Sequence, residues 1–390
     1  MSGGTTRRSS HRPSGSHAAT PTWLNHAGTS WPKPAGVASA MERALSAPPH
    51  VAAEQIEATT GRVAGLLGCS ADRVLLTPGC TSALAIAIDD LPWREGDVVV
   101  TGSMEHHALL RPIERLVRTA GVRHIAVGRD SDGPLDVAAL ETLLARGGVR
   151  LVAMTMAANV TGEILPVHEI VRIAHEHGAT VLLDAAQTAG IVPIDLRELE
   201  ADMLALAGHK GPLGPMGVGA LYIGPGVERA CTAAVCEIGT APGASADAAM
   251  PGYCDAGGAP LPAIAGLGAA IDWLQAQPAG AILERGRARI GQVLEALQTL
   301  PAFTVHGHSR AEDRVPTLSV THQRIESSRL EATLLAEYGI VSRSGLHCAP
   351  QAHRTLRTDG QGTLRISFGA LSEDDAADRL IAAFGELDRA

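Results

Sequence analysis

The sequence predicts an α/β fold with a mostly parallel sheet, on the basis of two observations. Short apolar runs alternate with helical patterns between residues 74 and 223, which is typical of parallel strands joined by crossover helices. Polar side chains also follow the predicted strand ends one after another, and ligands of parallel sheets collect beyond the carboxyl ends of the strands. The side chains at that edge are Thr81, His106, Asn159, Asp184, Gln187 and Lys210.

Each element of this region is predicted from its apolar period and from the Gly and Pro residues that bound it. Val167, Ile170 and Ala174, for example, give one helix a single apolar face. The predicted strands span 74–77, 98–101, 123–127, 150–155, 180–183, 203–207 and 218–223. The predicted helices span 35–45, 52–67, 109–120 and 137–144, and two more open near Thr81 and Val167.

Composition limits the class of protein. A chain of 390 residues with 45% hydrophobic content can bury a large core, divided between two domains. Its net charge of −9 argues against a nucleic-acid partner, because phosphate binding favours a basic surface. No apolar run approaches the roughly 20 residues of a membrane span, so no membrane partner is expected. The six cysteines form neither a CxxC pair nor a zinc spacing, which indicates reduced thiols in the cytoplasm and no metal site.

Residues 1–20 are predicted to be a disordered basic tail. They are polar and nearly free of apolar side chains, a composition that cannot offset the entropy of ordering. They lack the apolar core of a signal peptide, so the paired Arg7 and Arg8 do not mark an export signal. Residues 21–255 are assigned to a large domain, and the N-terminal segment of that range is expected to join the small domain.

A smaller α+β domain is predicted over residues 256–390, after a loop-rich stretch that begins at Cys231. Its predicted helices span 264–274, 282–300 and 329–338, and its strands 317–320, 339–342 and 363–368. The last helix is predicted to begin at Ser372, in a Ser-x-x-Asp pattern that resembles a capping box. A long polar loop over residues 343–362 holds Cys348.

Lys210 lies in the run LALAGHKGPLGPMGVG, where an apolar strand stops at Gly-His-Lys and a second strand follows the loop. A lysine framed by glycines at a strand end can be partly desolvated, which lowers its pKa and makes the amine nucleophilic. A lysine that forms Schiff bases needs that property. A loop lysine is more often only a solvated charge, so this interpretation depends on the other residues at the same edge.

The polar residues at the strand ends suit pyridoxal phosphate. Lys210 would form the Schiff base, and Asp184 would pair with the pyridine nitrogen and keep it protonated. Gln187 could donate to the ring oxygen, His106 could stack on the ring, and His209 could contact the phosphate.

The helix that opens at Thr81 offers unpaired N–H groups for that phosphate. Each residue also has a simpler interpretation. Thr81 or Ser82 can be an ordinary N-cap, Asp184 a helix cap and His106 a structural histidine. The constellation, rather than any one residue, therefore carries the cofactor hypothesis.

The chain from Trp23 onward also resembles the class V aminotransferase-fold enzymes, and specifically the type II cysteine desulfurase and selenocysteine lyase group. The matching runs are LNHAGTSWPKP, TPGCTSAL, SMEHHALLRP, NVTGEILP, DAAQTAG, GHKGPLGPMGVG and RSGLHCAP, followed by LRISFG. The resemblance implies a type I pyridoxal-phosphate transferase fold, with a mostly parallel seven-stranded sheet in the large domain. It also implies a homodimer and a sulfur-acceptor protein.

The resemblance assigns roles to individual residues. Lys210 would be the cofactor lysine and Cys348 the cysteine that receives sulfur, with His106 as a further catalytic residue. Arg365 would bind the substrate carboxylate. The motifs also place Cys80, Thr81 and Asn159 at the cofactor and Asn25, Ala27, Asn159 and Arg343 at the substrate.

The sequence departs from the family pattern at three places. Ala207 stands where a serine or threonine normally binds the phosphate, and Gly258 and Pro260 stand where a threonine and an asparagine are usual. The threonine normally reaches the phosphate of the partner subunit, and Thr240 is a candidate replacement for its hydroxyl. Two hydroxyl contacts to the cofactor phosphate are therefore expected to be missing.

The leading interpretation is a cysteine desulfurase that removes sulfur from L-cysteine, gives alanine and leaves a persulfide on Cys348. Arg343 and His347 lie near Cys348 in sequence and could lower the pKa of its thiol, whereas free cysteine is otherwise a common core residue. The alternatives are a C–S lyase acting on cysteine or a cysteine conjugate, and a cofactor-binding scaffold without turnover. A transaminase or epimerase needs no cysteine at this position.

Overall fold

A computed structural model of the protein describes residues 20–130, 133–228, 258–308 and 310–389. The predicted tail up to residue 19 and the loop-rich stretch after Cys231 up to residue 257, including Thr240, lie outside these residues. The described strands are β1 (Thr22–Trp23), β2 (Val74–Thr77), β3 (Val98–Gly102), β4 (Arg123–Val127), β5 (Val149–Thr155), β6 (Thr180–Asp184), β7 (Met203–Ala207), β8 (Gly219–Ile223), β9 (Phe303–His306), β10 (Thr317–His322), β11 (Ile340–Val341), β12 (Arg343–Gly345) and β13 (Thr363–Ser367).

Helices cover both faces of the main sheet and pack against the small sheet. In chain order they are α1 (Ala35–Ser46), α2 (Ala52–Leu67), α3 (Cys80–Asp89), α4 (His107–Thr119), α5 (Val137–Leu144), α6 (Val167–Glu176), α7 (Leu196–Leu199), α8 (Leu261–Gln275), α9 (Ala281–Leu297), α10 (Ser327–Tyr338), α11 (Pro350–Leu356) and α12 (Ala376–Arg389). Within the described residues no helix is long and apolar enough to cross a membrane.

The main sheet has seven strands in the order β2-β8-β7-β6-β5-β3-β4. Strands β4, β3, β5, β6 and β7 run parallel, and β8 is antiparallel to both β7 and β2. Its central strands are buried along their length, as expected for strands covered by helices on both faces. The predicted α/β fold with a mostly parallel seven-stranded sheet is confirmed.

A second sheet of four antiparallel strands, in the order β12-β13-β10-β9, packs against helices α9, α10 and α12. The N-terminal segment joins this part of the fold, because β1 pairs in parallel with β11. Helix α8 instead buries Ile264, Leu267 and Ile271 in the core of the large sheet. We therefore propose that the domains divide after α8; the boundary predicted from sequence, 255/256, lies outside the described residues.

Two local predictions in the C-terminal part are wrong. The predicted polar loop over residues 343–362 contains strand β12 and helix α11, so the connection that holds Cys348 is short. The last helix begins at Ala376 rather than at Ser372. The Ser372 hydroxyl accepts a hydrogen bond from the Gly369 amide at 2.8 Å, so it closes a turn instead of capping the helix. Strand β9 was not predicted.

Candidate active site

The carboxyl edge of the seven-stranded sheet opens into a cavity of about 270 Å³. Strand β6 ends at Asp184 and β7 ends just before the Lys210 loop, while His106 and Asn159 follow β3 and β5. Parallel strands place such residues at a common edge. The lining includes every residue that the sequence assigned to the cofactor: Cys80, Thr81, His106, Asn159, Asp184, Gln187, His209 and Lys210.

Lys210 presents its amine to this cavity and has no hydrogen-bond partner among the described residues. Desolvation lowers the pKa of the amine, and the nearby Asp184 carboxylate opposes that shift. A larger fraction of the amine is therefore unprotonated and nucleophilic than for a solvated lysine. The alternative that Lys210 is a solvated loop charge does not fit this position.

The peptide bond before Lys210 is held by the N-terminal segment. The His209 carbonyl accepts hydrogen bonds from the Ser30 amide and hydroxyl, each at 2.9 Å, and from Lys33 Nζ at 3.2 Å. Lys33 Nζ also donates to Ser30 Oγ at 2.7 Å. The chain contains two lysines, so one faces the cavity and the other fixes the backbone that carries it.

Asp184 is the acidic group that interacts electrostatically with Lys210 in the cavity. Its Oδ1 accepts hydrogen bonds from the Ala186 amide at 2.8 Å and from the Cys80 thiol at 3.4 Å. Burial raises the pKa of Asp184, while the Ala186 amide and Lys210 counteract that shift. A cationic group placed in the cavity would stabilise the ionised carboxylate. Burial also raises the pKa of Cys80, so its thiol is a neutral donor to Asp184.

The two histidines of the cavity are uncharged at neutral pH. Burial, followed by the charge of Lys210, lowers the pKa of His106 and of His209 to about 4. His106 Nδ1 accepts from the Ala108 amide at 3.0 Å and so caps helix α4. His106 therefore has a structural role as a helix cap and also lines the cavity, because the cap fixes its ring at the cavity wall.

Helix α3 and Gln187 complete the wall. The first N–H groups of a helix lack partners within the helix, and α3 begins at Cys80 with Thr81 in its first turn. Gln187 Nε2 donates to the Ala27 carbonyl at 3.1 Å, which ties the predicted substrate segment to the cavity. Ala27 itself donates its amide to Ser367 Oγ at 2.8 Å.

Two arginines from neighbouring strands lie beside this cavity. Arg365 and Arg343 are directly paired across β13 and β12. Arg365 is buried; it donates to the Asn159 carbonyl at 2.9 Å and to Asn25 Oδ1 at 3.3 Å. Burial, followed by the charge of Arg343, lowers the pKa of Arg365 to about 9. Two adjacent guanidinium groups are best stabilised by an anion, and a carboxylate matches their geometry.

Cys348 is exposed and lies on the short connection between β12 and α11. Two hydrogen bonds hold this connection: the His107 amide donates to the Cys348 carbonyl at 2.9 Å, and Asn159 Nδ2 donates to the His347 carbonyl at 2.8 Å. Arg343 Nη2 lies 3.9 Å from Cys348 Sγ. The interpretation of Cys348 as a core residue is therefore wrong, because its thiol faces the outer groove beside His106.

His347 does not act on the Cys348 thiol as expected. Its ring is buried, and Nε2 lies 3.1 Å from both the carbonyl and the hydroxyl of Thr363. Burial, followed by the charge of Arg365, lowers the pKa of His347 well below its ordinary value. The ring is neutral and turned toward β13, so Arg343 is the cation that contacts the thiol.

Glu105 was not identified from the sequence. Its side chain is fully buried, and Oε2 accepts a hydrogen bond from the Thr155 amide at 2.9 Å, which links the end of β3 to the end of β5. Burial, followed by the charge of Asp184, raises its pKa well above the ordinary value. The sequence feature that could have identified Glu105 is its position directly before His106 in the run SMEHHALLRP. Only the two histidines of that run were considered as site residues.

The family departures have different positions. Ala207 lines the cavity and brings no hydroxyl to it. Gly258 is exposed, and Pro260 precedes α8; neither lines the cavity. The candidate replacement, Thr240, is outside the described residues.

The residues present fit pyridoxal phosphate. The cavity joins a desolvated amine, a buried carboxylate and the start of helix α3. Two lining side chains also keep a buried polar atom without a partner among the described residues, namely His209 Nδ1 and Asn159 Oδ1. Buried polar atoms of this kind are normally satisfied, so they indicate a polar ligand. In the described part of the chain, no cluster of His, Cys, Asp and Glu could hold a metal ion.

Comparison with known proteins gives independent evidence for the family and the fold of this chain. The sequence profile of the family described as aminotransferase class-V matches residues 35–380. A probable cysteine desulfurase of Methanothermobacter thermautotrophicus is 32% identical over 323 residues, covering 81% of this chain and 80% of the relative. The apo structure of a cysteine desulfurase from Thermococcus onnurineus superposes with a TM-score of 0.86 at 26% identity, covering 95% of both chains. A cystine C–S lyase in complex with cysteine persulfide shares the fold at 22% identity and a TM-score of 0.80, covering 94% of this chain and 98% of the lyase.

Proposed function

Because the chain belongs to the class-V aminotransferase family, we propose that it is a pyridoxal-phosphate-dependent cysteine desulfurase. The observation that carries the proposal is the position of the Cys348 thiol. It lies 3.9 Å from Arg343, which is paired across the sheet with Arg365, and it shares the His106 wall with the Lys210 cavity. A transaminase or an epimerase has no use for a thiol there.

Pyridoxal phosphate, when bound, supplies an electron sink that weakens bonds at the substrate Cα. Lys210 would hold it covalently, Asp184 would pair with its ring nitrogen, and the start of α3 with Thr81 would bind its phosphate. His106, neutral and fixed by its cap on α4, would stack against the ring. Lys210, whose amine faces the cavity, would accept and return a proton at the substrate Cα.

The substrate carboxylate would be bound by Arg365, with Arg343 beside it. Arg365 is held in place by Asn25 and by the Asn159 carbonyl, so its guanidinium loses little conformational freedom when an anion arrives. An amino acid bound in this way would extend its side chain toward Cys348, which lies on the groove that shares the His106 wall with the cavity.

Cys348 would act as the sulfur acceptor within the protein. Its thiolate attacks the substrate sulfur, the Cβ–S bond breaks with its electrons moving to the carbon, and an S–S bond forms on Cys348. The thiolate rather than the thiol is the nucleophile, and Arg343 is the cation that stabilises it. Protonation of the remaining carbon skeleton gives alanine, so no external oxidant is needed.

The same fold serves a C–S lyase, and the reactive residue separates the two functions. A lyase eliminates sulfur from the substrate and needs no protein thiol, so an exposed cysteine beside the paired arginines favours the desulfurase. A scaffold without turnover is the further alternative, because Ala207 brings no hydroxyl to the cofactor. We also propose a cytoplasmic homodimer that hands the sulfur to an acceptor protein.

Incubation with L-cysteine and dithiothreitol tests the function. The purified protein loaded with pyridoxal phosphate should release alanine and sulfide in equal amounts, because reduction of the Cys348 persulfide restores the thiol. Sulfide accompanied by pyruvate and ammonia would identify a lyase instead. Cofactor binding with no product from L-cysteine, or from a panel of cysteine conjugates, would leave the scaffold as the function.

A further inference from the structure

A groove on the outer face of the protein starts at Cys348 and follows helix α4. We call it the α4 groove; the residues of its wall that matter here are His107, Arg111, Glu114, Arg115, Arg118 and Cys348. The His107 amide donates to the Cys348 carbonyl at 2.9 Å, which fixes the thiol at the first turn of the helix. Any molecule lying in the groove therefore meets the thiol at one end.

Three arginines form a row along this groove. Arg111, Arg115 and Arg118 are spaced four and three residues apart, which places them on one face of a helix, and all three are exposed. Arg115 is ion-paired with Asp89 on the neighbouring helix α3. Among the described residues that line the groove, Glu114 is the one acidic side chain.

The positive charge of this row is opposite in sign to the net charge of the whole protein. The chain carries a net charge of −9, so an acidic partner would be repelled by most of the surface and attracted to this basic row. Local potentials of this kind select and orient partners more than they add affinity. The row therefore favours an occupant that is negatively charged.

The length of the groove favours a polypeptide over a small thiol. A helix rises about 1.5 Å per residue, so the groove extends for roughly 16 Å between His107 and Arg118. An extended chain covers about 3.3 Å per residue, and roughly five residues would fill that distance. A small anionic thiol would reach Cys348 without contacting Arg118.

We propose that the α4 groove is the docking surface for an acidic segment of a sulfur-acceptor protein, whose cysteine is presented to Cys348. The inference rests on the proposed function, since it assigns a route to the sulfur on Cys348. The acceptor thiolate attacks the outer sulfur of the Cys348 persulfide. The S–S bond to Cys348 breaks, Cys348 leaves as a thiolate, and the acceptor becomes the persulfide, with no net oxidation.

Binding to the resting protein tests the docking surface without any turnover. The probes are two fluorescently labelled peptides of equal length with a central cysteine, one flanked by Asp and Glu and the other by Lys. The acidic peptide should bind more tightly by about tenfold or more at low salt. The difference should shrink at 1 M salt, because the Debye length there is only about 3 Å and the charges are screened from one another. The double variant R111E/R118E should remove the preference, whereas R329E, an exposed arginine of α10, should keep it.

Sulfur transfer from Cys348 gives the second readout. In wild-type protein the acidic peptide should take sulfur about tenfold faster than the basic one, relative to release by dithiothreitol, and R111E/R118E should abolish that advantage. Mercaptosuccinate, a small anionic thiol, should show no such loss in R111E/R118E. Equal binding of the two peptides, an unchanged preference in the double variant, or a change of the variant's oligomeric mass would overturn the docking proposal. Absence of sulfide with dithiothreitol would count against the desulfurase function alone, because peptide binding is measured separately.

Discussion

Replacing Cys348 by serine should reduce alanine and sulfide formation from L-cysteine by about three orders of magnitude or more. The serine hydroxyl cannot act as the thiolate nucleophile that receives sulfur. Cofactor binding should be retained, since Cys348 lies on the outer groove and does not line the Lys210 cavity. The measurement is product formation per cofactor, with the visible absorbance of the bound cofactor as the check on loading.

The matched control is Cys69→Ser. Cys69 is a partly buried thiol whose pKa burial raises to about 11, and it does not line the cavity or the groove. This variant should keep wild-type turnover. Sulfide release at the wild-type rate from Cys348→Ser, now with pyruvate, would show that sulfur leaves by elimination and that the protein is a lyase.

Lys210→Ala should lose the covalent attachment of the cofactor and at least about a thousandfold of the turnover. Its amine faces the cavity, and desolvation lowers its pKa, as the proposed role of a nucleophile requires. Borohydride treatment of the loaded wild-type protein should fix the cofactor to the peptide that contains Lys210, and the variant should retain none.

Lys33→Arg gives the control for this experiment, because Lys33 is the other lysine of the chain. Burial lowers the pKa of Lys33 to about 8, and its amine is occupied by Ser30 and the His209 carbonyl. Arginine keeps the positive charge and the donors, so borohydride fixation at Lys210 should persist. Fixation at Lys33 in the wild-type protein, or undiminished fixation in Lys210→Ala, would refute the assignment.

The sequence was sufficient for the part of the site that depends on topology. Asp184, Asn159 and His106 follow parallel strands, and such strands end at one edge of the sheet. Lys210 joins them because β7 belongs to the same parallel set. The order and direction of the strands therefore bring these four residues together, and their clustering could be predicted without knowledge of side-chain packing.

Features that depend on tertiary contacts were not predictable in the same way. His347 is close to Cys348 in sequence, but its ring is turned toward Thr363 and is neutral. The buried carboxyl group of Glu105 accepts a hydrogen bond from the backbone amide of Thr155, which lies on a different strand. Neither contact leaves a periodic trace in the sequence.

The C-terminal errors have a related cause. The stretch around Cys348 is rich in polar residues and reads as one loop, although pairing of β12 with β13 makes its first part a strand. Ser372 matches a capping pattern, but its hydroxyl accepts from the Gly369 amide and lies 3.1 Å from His26 Nε2. Short-range patterns were overruled there by partners that are distant along the chain.

The measurement that tests the central claim most directly is the mass of the peptide that contains Cys348 after one turnover. Protein loaded with pyridoxal phosphate is mixed with one equivalent of L-cysteine without reductant, alkylated, and digested. The account predicts that the Cys348 peptide gains the mass of one sulfur atom while one equivalent of alanine appears. Alanine or pyruvate formed with the Cys348 peptide unchanged, or extra sulfur found on a different cysteine, would contradict it.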